Sequence, residues 1–152
     1  MRTRKSLIAI VALLAVLGAA CTSETTDPTT TTTLAPTTTV LAEIPDLEFG
    51  TGAVPFTVPV EFPLPDSAVV GTTMIDGVNG RSEMNVNFPA AVAEVVTYYE
   101  TNLPALGFEV TDSKGTDSEW DITHTKDGVT GTIHLAFGGA SVTTGTLSFD
   151  HA

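Results

Sequence analysis

The sequence contains three histidines, His124, His134 and His151, the side chains whose ordinary pKa is closest to neutral. The first two flank Asp127-Gly128, a pair typical of two-residue type I′ hairpin turns. In the register that such a turn imposes, His124 and His134 face opposite sides of one sheet. We therefore expect that they share neither a metal ion nor a proton path. His151 is the penultimate residue, and we expect it to be frayed.

The same hairpin register assigns each histidine a neighbour. His124 is opposite Gly131 on the apolar face, where we interpret it as a partly buried side chain that fills the space above the glycine. His134 is opposite Asp121 on the polar face, an exposed cross-strand pair. Five large apolar residues fall on the apolar face and are expected in the core: Trp120, Ile122, Ile133, Leu135 and Phe137.

Motifs for other chemistry are absent from the sequence. It has no G-x-S-x-G, no S-x-x-K and no phosphate-binding loop. Gly50-Thr51-Gly52 begins like a dinucleotide fingerprint, but Pro55 stands where the third glycine belongs. The segment from Asp76 to Glu83 lacks the alternating oxygen ligands of a calcium loop, so we expect no such loop there. A loose Ca²⁺ site on its surface is the alternative. We expect no catalytic residue, cofactor or metal centre.

One helix is predicted between Pro89 and Gly107, ending between Asn102 and Leu106. Its apolar residues recur on one face: Val92, Val95, Val96, Tyr99 and Leu103. Because Tyr98 and Tyr99 are adjacent, only one can face the core, and Tyr99 fits the stripe. Tyr98 is the single weak candidate for a ligand contact, against the alternative of an ordinary boundary aromatic.

The first residues have the pattern of an export signal. Arg2, Arg4 and Lys5 precede an uncharged apolar run from Leu7 to Leu17, and small residues lead to Cys21, the only cysteine. Leu17-Gly18-Ala19-Ala20-Cys21 resembles the bacterial lipobox, although leucine stands one position further from the cysteine than usual. The resemblance implies cleavage between Ala20 and Cys21 and a lipid, palmitate among its acyl chains, on Cys21. An uncleaved anchor helix is the alternative.

The implied organisation is a signal peptide (1–20), a lipidated cysteine with a Thr/Pro-rich linker (21–45) and a small domain (46–152). The linker lacks the apolar content that ordering requires, so we expect a disordered stalk, with glycosylation of its threonines as an open addition. The expected location is the extracytoplasmic face of the cell membrane, with the membrane contacted through the N-terminal lipid.

Charge and cysteine content narrow the partners. After cleavage three cations would remain, Arg81, Lys114 and Lys126, against 18 acidic residues, a formal charge of −15. Such an acidic surface repels phosphate backbones, so we expect no nucleic-acid binding. With one cysteine the domain forms no internal disulfide, and its core alone must stabilise it.

The fold class predicted is α+β, a mostly antiparallel sheet of about five to six strands with one helix on one face. The predicted order is β-β-α-β-β-β, preceded by an extended edge segment. That segment is Val54–Pro65, where apolar residues alternate strictly with polar residues and prolines. A continuation of the disordered linker is the alternative for this segment.

The helix-on-sheet pattern, with Tyr98-Tyr99, Leu103 and Gly107-Phe108, loosely resembles small α+β modules in secreted proteins of high-GC Gram-positive bacteria. The resemblance assigns no activity. The function expected is a non-catalytic envelope lipoprotein that binds a protein or cell-wall partner. The alternatives are a small-ligand or cation-binding lipoprotein, with a polar void beneath Tyr99 and Trp120, and a hydrolase.

Overall fold

The computed structural model describes residues 42–151, which form one seven-stranded sheet and one helix. The sheet order is β1-β2-β3-β7-β6-β5-β4, and all neighbouring strands are antiparallel. The elements are β1 (Glu48–Thr51), β2 (Val69–Asp76), β3 (Arg81–Phe88), α1 (Val92–Ala105), β4 (Glu109–Thr116), β5 (Glu119–Lys126), β6 (Val129–Gly139) and β7 (Val142–Asp150). The expectation of a mostly antiparallel sheet with one helix is confirmed.

The expected count of five to six strands is too low for the described residues. A short edge strand, β1, precedes β2, and four strands rather than three follow the helix. All four residues of β1 are exposed, and most of the outer part of β4 is exposed as well. Neither strand has the apolar alternation by which a strand is recognised in a sequence.

Residues 54–65, here called the strap, do not form the extended edge strand that their alternation predicted. Two turns fold this segment, in which Val58 N–H donates to Pro55 O (3.0 Å) and Phe62 N–H donates to Pro59 O (2.9 Å). The turns change the period, because Val58 and Phe62 are buried four residues apart while Val60 is 100% exposed. The edge position belongs to β1 instead.

The helix begins after Ala91 and ends at Ala105, within the predicted range. Ala91 has no polar side chain, but its N–H donates to Glu94 Oε2 (3.0 Å), which satisfies one donor at the helix start. At the other end Gly107 adopts φ +81°, and Phe108 N–H donates to Leu103 O (3.0 Å). This is a Schellman motif, which accommodates the end of the helix despite Pro104 in its last turn.

The hairpin of β5 and β6 has the predicted register, with Lys126 opposite Val129. The predicted faces are also observed for Ile122, Ile133 and Leu135, which are fully buried. Trp120 is only half-buried, and Phe137 is 58% exposed, so these two are not part of the deep core that we expected. Both lie towards the end of the hairpin remote from the turn, where the sheet face is only partly covered by other elements.

The core lies on one side of the sheet, beneath the helix and the strap. The helix packs over β4, β5, β6 and β7. The strap completes this cover with Val58 and Phe62, whose side chains belong to the same apolar cluster as Tyr99 and Leu103. On the opposite face the exposed or half-buried residues of β3, β6 and β7 are mainly threonine, asparagine and charged side chains.

Candidate functional site

The groove beside Tyr98 is the place where the sequence-predicted ligand contact meets a concave surface. Tyr99 points into the core and is fully buried, whereas Tyr98 is half-buried at the margin, as its position in the helical stripe predicted. The two rings pack edge to face with centroids 5.4 Å apart. Tyr98 forms one wall of a groove of about 340 Å³, which is also lined by Pro65, Ser67, Phe88, Pro89, Ala90, Glu94 and Val95.

The electrostatics of this groove favour a cationic or hydrogen-bonding ligand. None of its eight lining residues is basic, and Glu94 supplies a carboxylate. Burial raises the pKa of the Tyr98 phenol, and the negative charge of Asp66 raises it further, so the hydroxyl keeps its proton at neutral pH. An aromatic face beside a carboxylate, without a competing cation, is suited to an organic ammonium group.

The interface between the helix and the sheet, beneath Tyr99, is packed with apolar side chains. Val92, Val95 and Leu103 are each at least 97% buried there. Trp120 is half-buried at the edge, where its Nε1–H donates to Ser113 Oγ (2.9 Å) and the Ser113 hydroxyl donates to Glu100 Oε1 (2.7 Å). The polar void that would have favoured the ligand-binding alternative is therefore not found beneath Tyr99, and a ligand beside this helix has room at the Tyr98 groove instead.

His134 lies on the polar face of the sheet, as predicted. Its Nδ1 is 2.7 Å from Asp121 Oδ1, and its Nε2 is 3.5 Å from Glu119 Oε1. The side chains of His134, Asp121 and Glu119 are 42%, 48% and 63% exposed, so solvent screens these pairs and their contribution to stability is small. Because the carboxylates contact opposite edges of the ring, they do not converge on one point as metal ligands would.

His124 lies on the other face, opposite Gly131 and 1% exposed, which confirms that the two histidines are separated by the sheet. The rings of Phe62 and Phe108 lie 5.5 and 5.3 Å from its imidazole. Neither imidazole nitrogen has a hydrogen-bond partner among the described residues. Burial lowers the pKa of His124 to about 4, so the ring is neutral at physiological pH.

His151 is held in place, contrary to the expected fraying. Its backbone N–H donates to Gly80 O (2.7 Å), and its Nε2 is 3.3 Å from Ser82 Oγ. Sequence reasoning missed this serine–histidine pair, since 69 residues separate its members. Ser82 is fully buried, and its Oγ also contacts Thr57 Oγ1 at 2.6 Å. A buried hydroxyl already engaged on both sides is inaccessible to a substrate carbonyl, so the pair does not support acyl transfer.

The Asp76–Glu83 segment, weighed above as a loose Ca²⁺ site, contains a tight turn. Asn79 donates its backbone N–H to Asp76 Oδ1 (3.0 Å) and its side-chain amide to Asp76 Oδ2 (2.7 Å). These bonds lower the pKa of the Asp76 carboxyl and occupy both of its oxygens. Within residues 42–151, no three His, Cys, Asp or Glu side chains cluster closely enough to hold a metal ion.

Cys21, Ala20 and the threonine-rich segment lie outside the described residues, so their predictions remain predictions. In the part of the chain that the structure covers, no helix is long and apolar enough to span a bilayer. The chain matches no family model, no curated protein and no solved structure.

Proposed function

We propose that this protein is a non-catalytic lipoprotein of the bacterial cell envelope, which displays its α+β domain as a binding module on a threonine-rich stalk. The observation that carries the proposal is the pattern ending in Cys21: a basic start, a short apolar run, small residues and the only cysteine of the chain. Lipid on this cysteine would hold the domain at the extracytoplasmic face of the membrane, where a protein or cell-wall component would be its partner.

Labelling with palmitate and membrane fractionation test the anchor. Wild-type protein should incorporate the label and sediment with membranes. Cys21→Ser should lose both properties, because only a thiol accepts the diacylglycerol. Ser23→Ala is the matched control, since it changes a neighbouring residue and leaves the cysteine. A Cys21→Ser protein that stays in the membrane fraction at mature size would contradict the lipoprotein assignment.

The binding part of the proposal is supported by the groove beside Tyr98, a concave surface that combines an aromatic ring, prolines and a carboxylate. A photo-crosslinking amino acid in place of Tyr98, in intact cells, should yield one discrete adduct. The same crosslinker at Thr97, an exposed neighbour on the helix, should not. Equal adducts at both positions, or none at either, would exclude the groove as the partner surface.

A small-ligand or cation carrier is the second candidate, favoured by the absence of basic residues from the groove lining. If the groove binds an organic ammonium ion, titration with a tetraalkylammonium salt should shift the resonances of Tyr98 and Glu94 saturably. Tyr98→Leu should abolish the shift and Thr97→Ala should not. Non-saturable shifts equal to those caused by sodium would contradict this second function.

A further inference from the structure

The strap covers the core and makes few polar contacts with the rest of the domain. Among the described residues, no backbone hydrogen bond joins residues 54–65 to the sheet or the helix. Its polar anchors are two side-chain contacts, Thr57 Oγ1 to Ser82 Oγ and the ion pair between Glu61 and Lys126. Without backbone hydrogen bonds to the sheet, the strap can open without breaking the strand ladder, as in the local unfolding of part of a structure.

Phe62 is the strap residue that packs most extensively against aromatic rings of the core. Its ring contacts four rings beneath it, with centroid distances of 4.9 Å to Phe149, 5.5 Å to His124, 5.8 Å to Phe108 and 5.9 Å to Tyr99. Two of these four side chains contain polar atoms that are buried without a partner, the hydroxyl of Tyr99 and both nitrogens of His124. Water could bind these atoms if the strap lifted. The closed form therefore costs the free energy of the hydrogen bonds that these atoms lack.

The surroundings of His124 do not accommodate a positive charge. Phe62 of the strap, Phe108 just before β4 and Phe149 of β7 surround it, and Gly131 of β6 is opposite. The titratable groups that contact these surrounding rings are the neutral phenol of Tyr99, whose ring is 5.9 Å from that of Phe62, and Lys126, which pairs with Glu61. Lys126 lies 4.7 Å from the centre of the Phe108 ring, and its ammonium group offers no acceptor to an imidazolium. An imidazolium there would lack an acceptor for either N–H.

We propose that the strap is an acid-operated cover, which lifts when His124 is protonated and thereby exposes an aromatic slot lined by Tyr99, Phe108, His124 and Phe149. The neutral imidazole fits beneath Phe62, whereas the charged form requires water. Protons therefore bind preferentially to the open form and shift the population towards it.

Two groups set the pH range. In the closed form burial lowers the pKa of His124 to about 4 from its ordinary value of 6.5, and an open strap would return the pKa towards that value. Between these values the open-to-closed ratio rises by up to about tenfold for each pH unit lost. Near the bottom of the range, protonation of Glu61 removes its attraction to Lys126, whose presence lowers the pKa of this carboxyl. Both effects favour opening in acid, and neither acts above neutral pH.

Hydrogen exchange of the full chain carrying Cys21→Ser tests the proposal between pH 7.5 and 4.5, with rates corrected for intrinsic exchange. Protection of the Val58 and Phe62 amides should be constant above pH 6.5 and fall by up to about tenfold per unit below it. Acid also lowers the global stability through His124, so amides of the β5–β6 hairpin lose some protection, but strap protection should stay below hairpin protection at every pH. Constant strap protection throughout, or equal protection of strap and hairpin at every pH, would overturn the proposal, since equality means that the strap opens only by global unfolding.

His124→Leu should remove the pH dependence of strap protection above pH 5, while His134→Leu, on the exposed face, should retain it. A disulfide between Thr57→Cys and Ser82→Cys gives an independent test, because these hydroxyl oxygens are already 2.6 Å apart. When oxidised, it should hold the strap closed, with His124 titrating near pH 4 by NMR, and reduction should raise that midpoint. An equal midpoint in both redox forms, or unchanged pH dependence in His124→Leu, would refute the acid-operated cover.

Discussion

The imidazole of His124 occupies the space into which a side chain at position 131 would project. His124 and Gly131 are direct partners on β5 and β6, and a Cβ built on Gly131 would overlap the imidazole ring. Gly131 has no positive φ, so the glycine is required by the close approach of the ring and not by the backbone conformation. A histidine and a glycine together fill one layer of the core.

Gly131→Ala should therefore destabilise the domain by about 1–3 kcal/mol, the usual cost of forcing extra volume into a packed core. Urea denaturation measures the change in the free energy of unfolding. Thr132→Ala, at the next position and on the opposite face, is the control and should cost less than about 1 kcal/mol. If alanine at 131 were neutral, His124 could move aside, and its tight enclosure would be wrong.

Acid should weaken the domain through His124. An unfolded-state pKa near 6.5 and a folded-state value of about 4 mean that the unfolded chain binds the proton first. The stabilisation by the neutral ring is complete above pH 6.5, falls by about 1.4 kcal/mol per unit below it, and levels off near pH 4. Denaturation of wild type and His124→Leu across this range should reveal the difference in slope. Parallel curves would show that His124 is not the titrating group.

Ile133→Ala should destabilise far more than Thr132→Ala. Ile133 is opposite Ile122 and completely buried, so its truncation should cost about 2–5 kcal/mol. Thr132 is opposite Thr123 on the polar face, where alanine should cost less than about 1 kcal/mol. Chemical denaturation compares the two directly. The reverse ranking would require the hairpin to be slipped by one residue.

Lys126 should contribute more to stability than Lys114, the lysine of the exposed pair with Asp112. Its ammonium group donates to Leu106 O (2.8 Å), pairs with Glu61 and covers the Phe108 ring. Lys126→Met keeps most of the apolar stem and loses these polar contacts, so we expect a cost of about 1–2 kcal/mol. Lys114→Met breaks only an exposed pair with Asp112 and should leave the free energy of unfolding almost unchanged. Equal thermal shifts would contradict this difference.

The parts of the fold that the sequence predicts are those in which two independent local patterns agree. For the hairpin, Asp127-Gly128 specifies the turn, and the alternation on both sides specifies the faces, so the register and the inward direction of His124 followed. The ring is more deeply buried than the partly buried side chain that we expected. For the helix, the apolar stripe and Gly107 agree on its inward face and its end. The position of Tyr98 at the margin was predictable for the same reason.

The failures arise where the pattern is ambiguous or the determinant is distant. In the strap, the alternation of apolar residues with prolines fits both an extended strand and consecutive turns. The packing of Phe62 against Tyr99 of the helix selects the turns, and this contact is not visible in the local sequence. The exposed strand β1 lacks an apolar face. The contact between Ser82 and His151 depends on the pairing of β3 with β7, which no local pattern encodes.

The composition of the strap also explains how an irregular segment can lie over an apolar face. Every ordinary residue brings an amide hydrogen that must find an acceptor, but four of the twelve strap residues are prolines, at positions 55, 59, 63 and 65. Two of these prolines, Pro55 and Pro63, are buried, where an unpaired donor would be most costly. The amides of Val58 and Phe62 are satisfied within the turns. The prolines thus replace the hydrogen-bond ladder of a strand, because they reduce the number of amide hydrogens that an irregular segment would otherwise leave unpaired against the core.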